Sequence, residues 1–204
     1  MGEPLRAHTS NELHYYLMVT PCAHCGRGPL VPEEGDLPVA GGAGQEKTPP
    51  EATLRARCRQ CGGEAVFRFH WEHDVPADAD DPDCISPSRQ ASLIIDLGQW
   101  VSLYHLFSES AGSAKSPVDS RTSARQASLC LAEALKFYHD EELPPESAFF
   151  REASAAAFRR NPANFARTRL RDLHALLPAP AHHAEPAAPS KPDGPPPWWK
   201  FWRR

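Results

Sequence analysis

Cys22-Ala23-His24-Cys25-Gly26 and Cys58-Arg59-Gln60-Cys61-Gly62 are two copies of one pattern: a cysteine pair spaced by two residues, with a glycine directly behind it. Two cysteines at this spacing can both reach one metal ion from a tight turn, and the glycine lets the chain fold back without a Cβ clash. One such pair would be ambiguous, because redox dithiols share the spacing. A redox pair is expected at the start of a helix in a βαβ unit. Here the flanking segments read as strands, 13–20 before the first pair and 53–57 and 64–71 around the second. The doublet therefore favours one structural Zn2+ held by Cys22, Cys25, Cys58 and Cys61. Free or redox-active thiols and an iron–sulfur cluster are the alternatives.

Two such turns between strand-like segments resemble the knuckles of a zinc-ribbon domain, over about residues 13–71. That resemblance implies β-hairpins clasping a single structural zinc. The 32 residues between the knuckles are long for a ribbon. Residues 32–52, which hold Gly41-Gly42-Ala43-Gly44 and Pro49-Pro50, are therefore read as an inserted loop. Pro29-Leu30-Val31 is expected as a further strand or edge. Alternation along 64–71 puts Ala65, Phe67 and Phe69 on one face and Arg68 and His70 on the other.

Past residue 73 an acidic, proline-dotted stretch (74–88) reads as a linker, and beyond it the apolar period lengthens from two to about 3.6. Four helices are expected: 89–109 capped by Ser88, 119–139, 146–160, and 162–177 entered through Asn161-Pro162. Their apolar sides would be Leu93, Leu97, Trp100, Tyr104 and Phe107; Ala124, Ala127, Leu131, Leu135 and Tyr138; Phe149, Phe150, Ala153, Ala157 and Phe158; and Ala166, Leu170, Leu173 and Leu177. Trp100 is the expected centre of contact between ribbon and helices. Cys130, between Leu129 and Leu131, reads as a small core hydrophobe. The expected fold class is α+β: a zinc-ribbon domain (1–73), an acidic linker (74–88), a helical module (89–177) and a disordered Pro/Ala-rich tail (178–204).

Eight of the chain's 22 prolines fall in 178–204, so that segment cannot bury a core. It ends in Trp198-Trp199-Lys200-Phe201-Trp202-Arg203-Arg204. Clustered indoles on an extended spacer suit docking to a groove on a protein partner better than folding back onto the chain's own surface. A weak peripheral contact with anionic membrane is the other reading of the same side chains.

The net charge of −4 argues against a dedicated nucleic-acid binder. Even so, Arg55, Arg57, Arg59 and Arg68 in the ribbon offer phosphate contacts, and 151–171 holds six arginines against Glu152. His70, His73 and Cys84 are weighed as a second metal site and read instead as solvent-facing or packing residues, as is His24. No phosphate loop, nucleophile elbow or His-Glu-x-x-His motif occurs, and four thiolates leave zinc no open position for water. No apolar run spans a bilayer, and the N-terminus lacks a signal-peptide core. The sequence thus predicts a non-enzymatic, cytoplasmic, zinc-binding adaptor with a C-terminal docking motif. The alternative is a nucleic-acid-associated accessory factor.

Overall fold

The computed structural model describes residues 3–33, 51–71 and 84–178. Most of the expected insertion, most of the acidic stretch, His73 and the terminal heptad lie outside the described residues. The architecture is α+β: a four-stranded sheet, order β1-β4-β3-β2, covered on one face by helices. The strands are β1 (Leu5–Ala7), β2 (Leu30–Pro32), β3 (Glu51–Cys58) and β4 (Glu64–Trp71). β2–β3 and β3–β4 are antiparallel, with Leu30 opposite Cys58 and Leu54 opposite Phe67, while β1 runs parallel to β4. Alternation works as expected. Leu54, Ala56, Cys58 and Phe69 point into the core, with Ala65 and Phe67 packed against it, and Val66 faces solvent.

Residues 13–20 are not a strand. Residues 13–19 belong to α1 (Ser10–Val19), and Thr20 is its C-cap. Their β-branched and aromatic content is outweighed by a capping signal just upstream. The Thr9 side chain accepts from the Glu12 amide at 3.3 Å, and the Glu12 carboxylate accepts from the His8 amide at 3.0 Å. With that start, Leu13, Tyr16 and Leu17 form one buried stripe at helical spacing. Tyr16 meets Phe67 and Phe69 edge-on, at centroid distances of 5.6 and 6.0 Å. Tyr15, one position round, reaches Trp100 at 5.5 Å on the next layer. The expected strand pairing of a ribbon is thus replaced by a helix lying between sheet and helices.

The segment 84–96 is largely irregular and joins the layers. Thr9 Oγ1 donates to the Ile85 carbonyl at 2.7 Å, and Asn11 donates to the Cys84 carbonyl at 3.3 Å. On the other side the Ser86 amide donates to Glu133 at 3.2 Å, and the Ser86 carbonyl accepts from Lys136 at 2.9 Å. Ile85 and Ser86 are buried, so this end of the stretch read as a linker is part of the interior.

Four further α-helices follow among the described residues: α2 (Leu97–Ser113), α3 (Pro117–Leu135), α4 (Glu152–Arg160) and α5 (Arg167–Ala175). The first starts later than expected because its cap is Asp96, not Ser88. Asp96 forms a full capping box with Gln99, whereas Ser88 Oγ only accepts from the Gln90 amide in a turn. Leu93 therefore precedes the helix and is 49% exposed. Asp96 also accepts from the Arg151 amide at 3.1 Å and from Ser154 Oγ at 2.9 Å, so one buried carboxylate serves the starts of α2 and α4. Here the helices touch: a Cβ on Gly98 would sit 2.7 Å from that of Ser154.

The expected third and fourth helices are each divided. A 3-10 turn (Glu146–Ala148) precedes α4, which leaves Phe150 and Ala153 exposed. Asn161 makes no side-chain cap, and Pro162–Phe165 form another 3-10 turn. The start of α5 is served instead by Glu142, which accepts from the Thr168 amide at 3.1 Å and its hydroxyl at 2.8 Å. Phe149, Phe158 and Phe165 close this end as an aromatic triad with centroid distances of 4.7–5.8 Å.

Trp100 and Cys130 are fully buried within one continuous core that runs from Ala7 to Leu170. The Trp100 indole N–H has no acceptor among the described residues, so the side chain contributes by packing alone. Trp100→Ala should cost ~3–5 kcal/mol and Trp100→Phe distinctly less. Urea midpoints of the two variants check this, and a Trp100→Ala midpoint equal to wild type would contradict the packing.

Glu133 is buried beside Lys136, with Glu12 nearby, and desolvation raises its carboxyl to about 7. The folded state keeps this proton up to about pH 7, while an unfolded chain releases it near the ordinary 4.5, so ionisation costs stability as pH rises through that window. His14 works in the opposite direction. Desolvation lowers it to about 4 from 6.5, so its contribution is lost as pH falls through that interval. Glu133→Gln should remove only the first effect, so the variant's midpoint relative to wild type should be higher at pH 8 than at pH 5. A pH-independent difference would show that Glu133 ionises freely in the fold.

Candidate metal centre

The two knuckles have the same backbone. In the first, the Gly26 amide donates to the Cys22 carbonyl at 2.8 Å; in the second, the Gly62 amide donates to the Cys58 carbonyl at 2.9 Å. Both glycines lie in the left-handed region, at φ 68° and 71°, where a side chain would be strained. The second knuckle is the turn between β3 and β4. The first enters from α1 rather than from a strand, and leaves into β2. Leu30 opposite Cys58 and a hydrogen bond from the Arg59 amide to the Pro29 carbonyl (3.1 Å) then bring the turns together.

The four sulfurs of Cys22, Cys25, Cys58 and Cys61 all lie within 4.8 Å of one another. Between knuckles, Cys22 to Cys61 and Cys25 to Cys58 are both at 3.7 Å. A metal with thiolates at about 2.3 Å in a tetrahedron sets its sulfurs about 3.8 Å apart, so the donor set fits such an ion. A disulfide would need sulfurs at ~2.05 Å. Cys22 and Cys58 are buried in the core, whereas Cys25 is half-buried and Cys61 is exposed. The centre thus has an inner side fixed by packing and an outer side open to solvent.

Hydrogen bonds already distinguish the thiols. The Cys61 amide, with help from that of Gln60, favours the thiolate of Cys58 and brings it down to about 7. At Cys61 the Gly63 amide also favours the thiolate, but Cys25, burial and the other sulfurs together push it up to about 12. Metal binding must displace the protons that these sulfurs hold.

His24 is exposed, as expected, yet its ring lies against the second knuckle. A Cβ on Gly63 would come within 2.5 Å of the His24 ring, so the second glycine of Cys61-Gly62-Gly63 makes room for it. That doublet was the available sequence signal for a tight approach between the knuckles. The arginines divide. Arg55, Arg57 and Arg68 share the outward face of β3–β4, and Arg59 lies on the second knuckle turn. Arg57 is engaged by Glu64 at 2.9 Å and Glu33 at 3.5 Å. His70 is half-buried on β4, and the Cys84 carbonyl is taken by Asn11. Neither joins a metal-binding group among the described residues, where the four-cysteine cluster stands alone. No helix among the described residues is long and apolar enough to cross a membrane.

The chain matches no protein-family model, no curated protein and no solved structure. Sulfur geometry therefore carries the functional argument.

Metal-free protein titrated with Co2+ should take up one equivalent and develop thiolate-to-metal absorption. At free metal 100-fold above the dissociation constant, it should gain about 2.7 kcal/mol of stability. Cys58→Ser should lose both effects. Binding that persists undiminished in this variant would contradict the four-sulfur centre.

Proposed function

We propose that this protein is a non-enzymatic, zinc-binding adaptor. The four-sulfur cluster is the observation that carries the reading. Four thiolates in a tetrahedron are the donor set of structural Zn2+, with every coordination position taken by protein. The antiparallel β2-β3-β4 unit and its two knuckles retain that much of the zinc-ribbon resemblance, although α1 stands where a ribbon strand was expected. A centre of this kind supplies folding energy and rigidity rather than a reactive water. The adaptor role draws on the terminal Trp198, Trp199, Lys200, Phe201, Trp202, Arg203 and Arg204, an aromatic-basic motif behind a proline-rich spacer, which suits a groove on a protein partner.

Association with nucleic acid is the second reading. It is favoured by the placement of Arg55, Arg57 and Arg68 on one outward sheet face, beside Arg59. Against it, Glu64 and Glu33 already neutralise Arg57, and the chain is acidic overall.

The purified protein should contain about one zinc per chain. Zinc near zero with iron and sulfide present would replace zinc by an iron–sulfur cluster, and absence of all three would remove the centre. Deleting residues 198–204 should abolish capture of protein partners while leaving zinc content intact. Loss of liposome flotation alone would instead make the heptad a lipid contact. A low-salt anisotropy titration separates the readings. Micromolar binding to mixed-sequence nucleic acid that falls steeply with salt, and is lost on changing Arg55 and Arg57 to Glu, would establish the second one.

A further inference from the structure

A groove of about 1060 Å³ lies between the C-terminal end of α1, the outward flank of α2, and α4. Its volume is at the upper limit for small-molecule sites, ~1000 Å³, and suits a short stretch of chain. Of its apolar lining, Met18, Val19 and Ala157 are half-buried and Leu106 is 45% exposed, while Val101 and Phe165 are buried. Two cations complete it, Arg151 and Arg160, one at each end of α4. Glu152 also lines the groove but is bonded to Arg159. Neither Arg151 nor Arg160 has an acidic partner among the described residues.

We propose that this groove docks an acidic amphipathic helical segment of a partner protein, with its apolar face on Met18, Val19, Leu106 and Ala157 and its carboxylates on Arg151 and Arg160. Helix-in-groove recognition needs an apolar trough with charge at its rim, and both are present. Charge complementarity and apolar content favour this occupant over the terminal heptad and over the acidic stretch 72–83. The terminal heptad is apolar enough, but its Lys200, Arg203 and Arg204 would face Arg151 and Arg160. The acidic stretch 72–83 has the right sign, but Val75 is its largest apolar side chain, too little to cover the trough. The inference is independent of the metal centre and of the heptad, so zinc content and heptad deletion test the adaptor reading without touching it.

The test uses the full chain and labelled peptides of about four helical turns, each with a leucine stripe at helical spacing. One carries glutamates elsewhere, a second lysines, and a third glutamates with the leucines changed to serine. By fluorescence anisotropy the Leu/Glu peptide should bind at least about tenfold more tightly than either of the others. The double variant Arg151→Glu/Arg160→Glu should reverse the preference between glutamate and lysine peptides, and Leu106→Ser should weaken binding of the Leu/Glu peptide. The urea midpoint identifies any variant that fails to fold, and Arg160→Gln, at an exposed position, then provides the charge test. Equal affinity for all three peptides, or a preference unchanged in the charge variants, would overturn the proposal. Displacement of the Leu/Glu peptide by an equal concentration of the isolated 198–204 peptide would assign the groove to the chain's own tail. A concentration-dependent dimer abolished by the double variant would assign it to a second copy. Either result would also overturn the proposal.

Discussion

The helical part of this fold depends on a carboxylate with no exposure to solvent. Asp96 accepts from the amides of Gln99 and Arg151 and from the Ser154 hydroxyl, so its oxygens are satisfied by the starts of two helices. A carboxylate buried without such donors would cost several kcal/mol. With them it fixes where α2 begins, where α4 begins, and how closely they approach. Gly98 then becomes a necessity of that approach, because Ser154 occupies the space a side chain would take. The groove beside α2 and α4 inherits its width from the same contact.

The sheet has a different weakness. Two of its four strands are only three residues long, and its outer face lies in solvent. Its inner face is secured by α1, through Tyr16 on Phe67 and Phe69, and its open end by the knuckles. Cys22 and Cys58 belong to the core and the metal centre at once. Metal ligation by the four sulfurs would therefore stabilise the same corner of the molecule that hydrophobic packing already holds.

Much of this was legible in the sequence because it depends on local chemistry. The cysteine doublet with its trailing glycines specifies the knuckles, and alternation through Ala65, Phe67 and Phe69 specifies β4 and its buried face. At 13–20 capping outweighs β-propensity. Thr9-Ser10-Asn11-Glu12 is a helix-start signature, and Asp96-Leu97-Gly98-Gln99 is another, stronger than Ser88, which has Ala91 rather than Glu or Gln three residues on. Other features could not be read at all. That Asp96 reaches Ser154, that Glu142 serves α5, and that Glu133 meets Ser86 all join residues 26 to 58 positions apart. Such pairings follow from tertiary packing and leave no periodic trace. The groove is likewise a product of how α1, α2 and α4 assemble.

The connector after Cys84 has a topological consequence. Thr9 and Asn11 hold it on the side of α1, Glu133 and Lys136 on the side of α3, and Ile85 is sunk between them. Sheet and helices are therefore joined by an interface as well as by the covalent thread. A nick between Trp71 and Cys84 would change the entropy of holding the two fragments together but would remove none of these bonds. The molecule is in that respect a complex of two pieces that happen to share one chain.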